Sequence, residues 1–151
     1  MANEIRVDYA SGNTLYAVIR NATGQPWQPA GQAFADWGAG GCNADDYAIP
    51  LTYRSGSRYV GDFDVHIPAG GYGIQVFQQA GANPADTDDL VYSREIAWTG
   101  TGELTSTKLL ANKSVQDKVS GAVTYYDDDG QTVLLTHTVD DAAATVTKTP
   151  G

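Results

Sequence analysis

Short runs of alternating apolar and polar residues, separated by turn-forming residues, recur along most of this chain. The first run places Ile5, Val7 and Tyr9 on one side, and the Ser-Gly-Asn sequence at 11–13 ends it. Strict alternation over such a length is typical of a β-strand with one buried face. Further runs follow at a spacing of about eight to twelve residues, which predicts an all-β sandwich or barrel.

The first two runs are predicted to pair with each other. Residues 15–20 form a dense apolar run of strand length, and the Asn-Ala-Thr-Gly sequence at 21–24 closes it. Two runs joined by a short polar turn favour a hairpin or neighbouring strands. Pro26 and Pro29 then favour an edge strand or an extended loop over residues 25–34.

The middle of the chain combines one glycine-rich segment with further strand patterns. Residues 36–46 are predicted to be a loop because Gly, Asp and Asn are frequent there. The next run, residues 47–53, is predicted to be a strand with Tyr47, Ile49 and Leu51 on one face. Similar strand patterns continue at residues 58–63, 72–77, 90–92 and 95–98.

The pattern changes after residue 98. Residues 103–113 are the only segment with a helical pattern, and we predict a short helix or a linker there. The Asp-Asp-Gly sequence at 128–130 lies between two strand patterns, which is a strong hairpin signal. Asp140 and Asp141 predict one further turn, so this end is expected to be a three-stranded meander. Its strands are predicted at residues 120–127, 131–139 and 142–148.

These patterns predict two domains within 151 residues. Residues 1–98 are expected to form an Ig-like or prealbumin-like β-sandwich, and residues 99–151 a linker or short helix followed by a three-stranded β appendage. A chain of this length can bury roughly two-thirds of its unfolded surface, so a core without disulfides is feasible. Cys42 is the only cysteine, and it is expected to be a small residue in the glycine-rich loop.

The charge of the chain excludes several classes of partner. Eighteen Asp and Glu residues against nine Lys and Arg give a net charge of −9. The densest basic stretch is only Arg54 and Arg58, so binding to nucleic acid or to an anionic membrane is not expected. The chain shows neither a secretory signal peptide nor an apolar membrane span, so we expect synthesis in a host cytoplasm.

No arrangement of residues in the sequence favours an enzyme. His66 and His137 are the only histidines, and no Ser-His-Asp or His-Glu-x-x-His pattern surrounds them. Glu95 and Glu103 are the candidates for a pair of acidic groups in glycoside hydrolysis, but nothing in the sequence places them across a cleft. We therefore assign no catalytic, cofactor-binding or metal-binding residues and no cofactor.

Two clusters of aspartates are candidates for either a calcium site or a hydrogen-bonded turn. Residues 127–129 with Gly130 look like half of a calcium loop but lack its alternate spacing and its distal acid. We predict a turn in which these carboxylates accept hydrogen bonds from nearby backbone N–H groups. Asp86, Asp88 and Asp89 lie in a Gly- and Pro-rich loop, where a weak surface Ca²⁺ site is the alternative to a turn.

The aromatic residues support two interpretations. In one, Trp37 in its glycine-rich loop is an exposed ring that stacks on sugars together with neighbouring tyrosines. In the other, which we favour, the tyrosines belong to the core or to cross-strand pairs, and two tryptophans close the ends of the sandwich. The residues concerned are Tyr47, Tyr59, Tyr72, Trp27 and Trp98.

Seven short segments of the sequence are more specific than a general β pattern: LYAVIRN at 15–21, RYVGDF at 58–63, IPAGGY at 67–72, VFQQAG at 76–81, ANKSVQDK at 111–118, YYDDDG at 125–130 and LLTHT at 134–138. Together they resemble a group of small β-rich structural proteins of tailed bacteriophages and prophages. The resemblance spans most of the chain. It implies a setting among decoration, adaptor or tail and baseplate accessory proteins, and it brings no catalytic residues.

We therefore expect a non-enzymatic virion structural protein of a tailed phage or phage-like particle. Its expected partners are copies of itself and other virion structural proteins of the capsid or tail, with residues 114–151 as the docking element. The alternative is a carbohydrate- or surface-binding β-sandwich module with glycans as ligands. A further alternative is a subunit of an extracellular filament, which requires an export route.

Overall fold

A computed structural model describes residues 4–105, 108, 110, 112–127, 129–142 and 145–150, with side chains described as far as Thr138. Contacts divide the chain into two compact units, Met1–Glu103 and Leu104–Gly151. The sequence places this division after residue 98. In the structure, residues 99–103 belong to the first unit, because Glu103 forms a β-bridge with Trp98 and an ion pair of 2.7 Å with Arg94.

The all-β class is confirmed, since 44% of the chain is in strands and the sheets are antiparallel. The strands are β1 (Ile5–Asp8), β2 (Leu15–Arg20), β3 (Trp27–Gln28), β4 (Ala33–Phe34), β5 (Ile49–Pro50), β6 (Thr52–Arg54), β7 (Arg58–Gly61), β8 (Gly70–Gln78), β9 (Asp89–Trp98), β10 (Ser114–Gln116), β11 (Val123–Tyr126), β12 (Val133–Ala142) and β13 (Thr145–Pro150). One short helix, α1 (Ala44–Tyr47), and a 3-10 turn at Ala39–Gly41 lie in the first unit.

The described strands of the first unit, within residues 4–103, form three sheets. One has the strand order β1-β7-β6, a second has the order β5-β2-β8-β9, and β3 pairs with β4 in a small hairpin. Side chains from the two larger sheets form one hydrophobic cluster, in which Ile5 of β1, Ile19 of β2 and Ile74 of β8 are each at most 1% exposed. The core of the unit therefore lies between these two sheets.

The predicted pairing of the first two strands is wrong. β1 pairs with β7, while β2 pairs with β5 and β8 in the other sheet. The first strand was identified by its apolar face and the second by its dense apolar run, and both place side chains in the same cluster. Two strands that share a core from opposite sheets cannot also be hydrogen-bonded neighbours, and a hydrophobic pattern alone does not distinguish these arrangements.

The predicted strand over residues 47–53 is also corrected. Tyr47 ends α1, and separate strands β5 and β6 follow it. Asn43 starts the helix with a capping box: its side chain accepts from the Asp45 N–H at 3.0 Å, and the Asp46 carboxylate accepts from the Asn43 N–H at 2.9 Å. These reciprocal bonds stabilise a helical turn inside the segment predicted as loop.

The second unit is a four-stranded sheet with the order β10-β11-β12-β13. The hairpin of β11 and β12 is confirmed, but β10 makes the sheet one strand larger than the predicted meander. Asp140 and Asp141 pair with β13 inside β12, so the predicted turn there is wrong, and residues 143–144 lie outside the described residues. Lys108 and Leu110 are helical, as the short-helix alternative predicted, whereas Leu109 lies outside the described residues.

The two units also differ in their basic residues. All five arginines precede residue 104, and all four lysines follow it. The three tryptophans and three phenylalanines likewise belong to the first unit.

Candidate functional site

A cleft of about 640 Å³ crosses the outer face of the β5-β2-β8-β9 sheet, on the side away from the core. Its floor is formed by Gly71 and Gly73 of β8, and its walls include Arg20 of β2 and Glu95 of β9. The turn at residues 21–24 closes one end. We call this feature the glycine cleft.

Strand register explains how the walls of the glycine cleft are placed. Arg20 pairs with Gly73 on one side, and Glu95 pairs with Gly73 on the other. Cross-strand partners point to the same face of a sheet, and neighbouring strands lie about 4.8 Å apart. The backbones at Arg20 and Glu95 are therefore about 10 Å apart, with a residue that has no side chain between them.

The Arg20 guanidinium is held in place by three contacts. Its Nε donates to Gln75 Oε1 at 2.6 Å, its Nη1 donates to the Gly24 carbonyl at 2.8 Å, and its carbon lies 5.0 Å from the centre of the Trp37 ring. Burial lowers the pKa of Arg20 below its ordinary value. Among the described residues, no carboxylate forms an ion pair with this group.

Trp37 has the exposure that the sequence predicts for it. The ring is 38% exposed, whereas Trp27 and Trp98 are 2% and 3% exposed. Trp37 also contacts Tyr47, with ring centres 4.9 Å apart, in addition to Arg20. The proposed role of Trp37 in stacking on sugars remains a prediction. Trp27 and Trp98 are buried, as the favoured interpretation expects, and their place at the ends of the sandwich stays a prediction.

The three tyrosines expected in the core or in cross-strand pairs are all buried. Tyr47 and Tyr59 are each 1% exposed and Tyr72 is 7% exposed. Tyr47 packs with Tyr16 and Val18 in a second, smaller cluster beneath α1. This cluster covers the part of the outer sheet face next to the glycine cleft.

The loop of Asp86, Asp88 and Asp89 is fastened by hydrogen bonds. Asp88 accepts from the N–H groups of Ala80 at 3.0 Å and Ala85 at 2.8 Å, and from the Tyr16 hydroxyl at 3.1 Å. The Ala80 N–H, together with the other two donors, holds the pKa of the Asp88 carboxyl below its ordinary value. The described residues contain no cluster of acidic, histidine or cysteine side chains suited to a metal ion.

In the second aspartate cluster, Asp129 accepts from backbone N–H groups as the turn prediction requires. Asp129 accepts from the N–H groups of Gln131 and Thr132, both at 2.8 Å, while Asp127 forms an ion pair of 3.1 Å with Lys108. Asp128 lies outside the described residues.

The remaining candidate residues do not converge on one site. His66 Nδ1 lies 2.9 Å from Asp64 Oδ1 at the surface, and Cys42 is half-buried with its sulfur 3.1 Å from Gln28 Nε2. Glu103 is paired with Arg94, whereas Glu95 lines the glycine cleft. The two glutamates are therefore on different elements with different neighbours.

A second surface of interest is one face of the C-terminal sheet. Register places Val123 and Tyr125 of β11 on the same face as Leu135 and His137 of β12. All four side chains are half-buried, and the Tyr125 and His137 rings meet edge to face with centres 5.6 Å apart. His137 Nδ1 is buried without a hydrogen-bond partner in the described structure. We call this surface the C-terminal apolar face.

The opposite face of this sheet carries threonines together with apolar residues such as Val115, which pairs with Thr124 and is 43% exposed. Thr124 and Thr136 are cross-strand partners there, with hydroxyl oxygens 3.4 Å apart. Among the side chains described after residue 103, none is buried as deeply as the core of the first unit. The sheet therefore leaves its apolar face incompletely covered.

No family model, curated protein or solved structure was found to match this chain. Within the described residues, no helix is long and apolar enough to cross a membrane.

Proposed function

We propose that this chain is a non-enzymatic virion structural protein of a tailed phage or phage-like particle. It would serve as a head decoration or cement protein, an adaptor or a tail accessory protein. It would act through contacts with copies of itself and with capsid or tail proteins. The resemblance of its sequence phrases to such proteins suggests the setting.

The observation that carries the proposal is the incomplete burial of the C-terminal apolar face. An apolar sheet face normally packs against another layer of structure. Here Val123, Tyr125 and Leu135 stay half-buried, and no side chain described in this sheet is fully buried. The edge strands β10 and β13 add backbone groups that can pair with another chain. A subunit contact would bury both features at once.

We further propose that the first unit is a prealbumin-like rather than an Ig-like sandwich. A constant-type Ig domain has its first two strands side by side in one sheet. In this chain β1 and β2 lie in different sheets, which leaves the prealbumin-like alternative. An experimental structure with the first two strands in one sheet would contradict this assignment.

The oligomeric state of the purified full chain tests the proposed contact. Light scattering after gel filtration, over a concentration series, should show a closed oligomer or a concentration-dependent association. Leu135→Lys places a charge on the C-terminal apolar face and should shift the chain to monomer. Thr136→Lys places the same charge on the opposite face and is the matched control, because it should leave the association unchanged.

Particle incorporation tests the proposed setting. Particles produced by the host that encodes this chain are banded by density gradient, and the chain is measured in the particle fraction. The full chain should band with the particles, and a chain lacking residues 114–151 should not. A full chain that stays monomeric at high concentration and is missing from the particles would sink the proposal.

A further inference from the structure

We propose that the glycine cleft is a binding site for a neutral saccharide. This inference is independent of the assembly role proposed above, because it rests on the first unit alone and is tested on purified protein.

The first argument is that the fold does not require glycine on the cleft floor. A side chain begun at Gly71 or Gly73 would meet no atom within 4 Å, and neither residue has the positive φ that favours glycine. Glycine inside a strand weakens the strand, and it often marks a place where another molecule approaches the backbone. A larger residue would improve the strand but would fill the cleft.

The second argument is the state of the Arg20 side chain. A guanidinium has five N–H donors, and Gln75 and Gly24 accept from two of them, so three remain. The side chain is half-buried and fixed against Trp37, yet it forms no ion pair among the described residues. A fixed cation with spare donors beside a cleft is prepared to donate to a ligand.

The third argument is the chemistry of the opposite wall. Glu95 is exposed on β9 and supplies only acceptors when ionised. The cleft thus has donors on one side, acceptors on the other, and a formal charge near zero across its two walls. A sugar hydroxyl can accept from Arg20 and donate to Glu95, so vicinal hydroxyls match both walls. A simple anion would be attracted by Arg20 but repelled by Glu95.

The shape of the cleft agrees with this ligand class. Its volume of about 640 Å³ falls within the range of known ligand clefts, roughly 300–1,000 Å³. The glycine floor offers a flat strip of strand backbone, on which the C–H face of a sugar ring can pack. In this arrangement Trp37 contributes by holding Arg20, and it need not stack on the sugar itself.

The test begins with an array of neutral and acidic oligosaccharides probed with the purified full chain. Binders are then measured by titration calorimetry. Gly73→Val should abolish binding while raising the melting temperature, because a Cβ atom at this position meets nothing within 4 Å and valine favours strands, while its two methyl groups project into the cleft. Glu95→Gln should weaken binding at least tenfold with little change in stability. Ser93→Val changes an exposed residue of the same sheet outside the cleft, and it should leave the affinity unchanged.

Binding of neutral sugars that is lost in Gly73→Val but kept in Ser93→Val supports the proposal. Three outcomes would overturn it: no saccharide binds at millimolar concentration, only acidic sugars bind, or Gly73→Val binds as well as the parent chain. The gain in melting temperature keeps the result interpretable, since loss of binding then cannot be attributed to unfolding.

Discussion

Replacing Gly61 by alanine tests how closely the core packs around the end of β7. Gly61 is a buried strand residue that pairs with Ile5. A Cβ atom at this position would lie 2.5 Å from Cδ2 of Leu51 and 3.9 Å from Cβ of Ile5. The added methyl group and the present Leu51 side chain therefore cannot occupy their positions together.

The expected cost follows from this overlap. Overpacking a core by one methyl group lowers the free energy of unfolding by about 1–3 kcal/mol. Replacing a strand glycine by alanine raises it by roughly 0.5–1 kcal/mol. We expect Gly61→Ala to destabilise the first unit by about 1–2 kcal/mol. At roughly 4–8 °C per kcal/mol for a domain of this size, the melting temperature should fall by about 5–15 °C.

A double-mutant cycle makes the test specific to this contact. Leu51→Ala alone should cost about 2–3 kcal/mol, the lower part of the usual range, because Leu51 is still 9% exposed. In the double variant the new methyl group occupies space that Leu51 has vacated. The two costs should therefore be less than additive, by about 1–2 kcal/mol.

The assay is urea unfolding followed by tryptophan fluorescence. Trp27, Trp37 and Trp98 all lie in the first unit, so this signal reports on that unit alone. Gly73→Ala is the matched control, because its Cβ meets nothing within 4 Å and the variant should be neutral or more stable. A neutral Gly61→Ala variant, or strictly additive costs in the cycle, would refute the reasoning.

Three further predictions concern hydrogen bonds, ion pairs and the division of the chain. The pKa of Asp88 is lowered in the folded state, so its contribution to stability is present above its ordinary pKa and is lost as the pH falls through the lowered value. Asp88→Asn should therefore make the free energy of unfolding fall less steeply at acid pH, and an unchanged slope would contradict this. Arg94→Gln should speed hydrogen exchange around Glu103, because it removes a half-buried ion pair of 2.7 Å. Arg58→Gln, which removes an exposed ion pair, should have no such effect, and equal exchange in both variants would contradict the prediction. A chain ending at Glu103 should keep a cooperative fluorescence transition, and a gradual transition would show that the first unit is not independent.

The sequence predicts those parts of the fold that depend on local pattern. Ile5 and Val7 alternate with exposed residues, so β1 is recognisable without any knowledge of its partner. The hairpin of β11 and β12 is recognisable for the same reason, since Asp129 and Gly130 form a turn between two strand patterns. Pairings between distant strands, such as β1 with β7, carry no comparable local signal.

Tyr47 shows how the two-residue period of a strand can be assigned to a residue that ends a helix. It aligns with Ile49 and Leu51 in an alternating run, but Asn43 and Asp46 form a capping box that starts a helical turn before it. The capping pattern was present in the sequence and could have been recognised there. Alternation gave the wrong element because the aromatic residue is buried equally well at the end of a helix.

The glycine cleft could not be located from the sequence. Arg20, Gly73 and Glu95 are far apart in the chain, and only the registers of β2, β8 and β9 bring them together. One signal was available, because two glycines interrupt an otherwise alternating strand around Tyr72. That signal marks an unusual strand position, but it does not show which side chains flank it.

The separation of arginines and lysines between the two units has a practical consequence. Every lysine follows residue 103, so the lysine side chains that amine-reactive dyes and cross-linkers modify all lie in the second unit. A protease that cleaves after lysine will likewise cut only there, and its first site, Lys108, releases residues 1–108 with no cut inside the first unit. The composition thus allows the C-terminal sheet to be labelled, anchored or trimmed by ordinary lysine chemistry, while every arginine-bearing surface of the first unit keeps its native side chains.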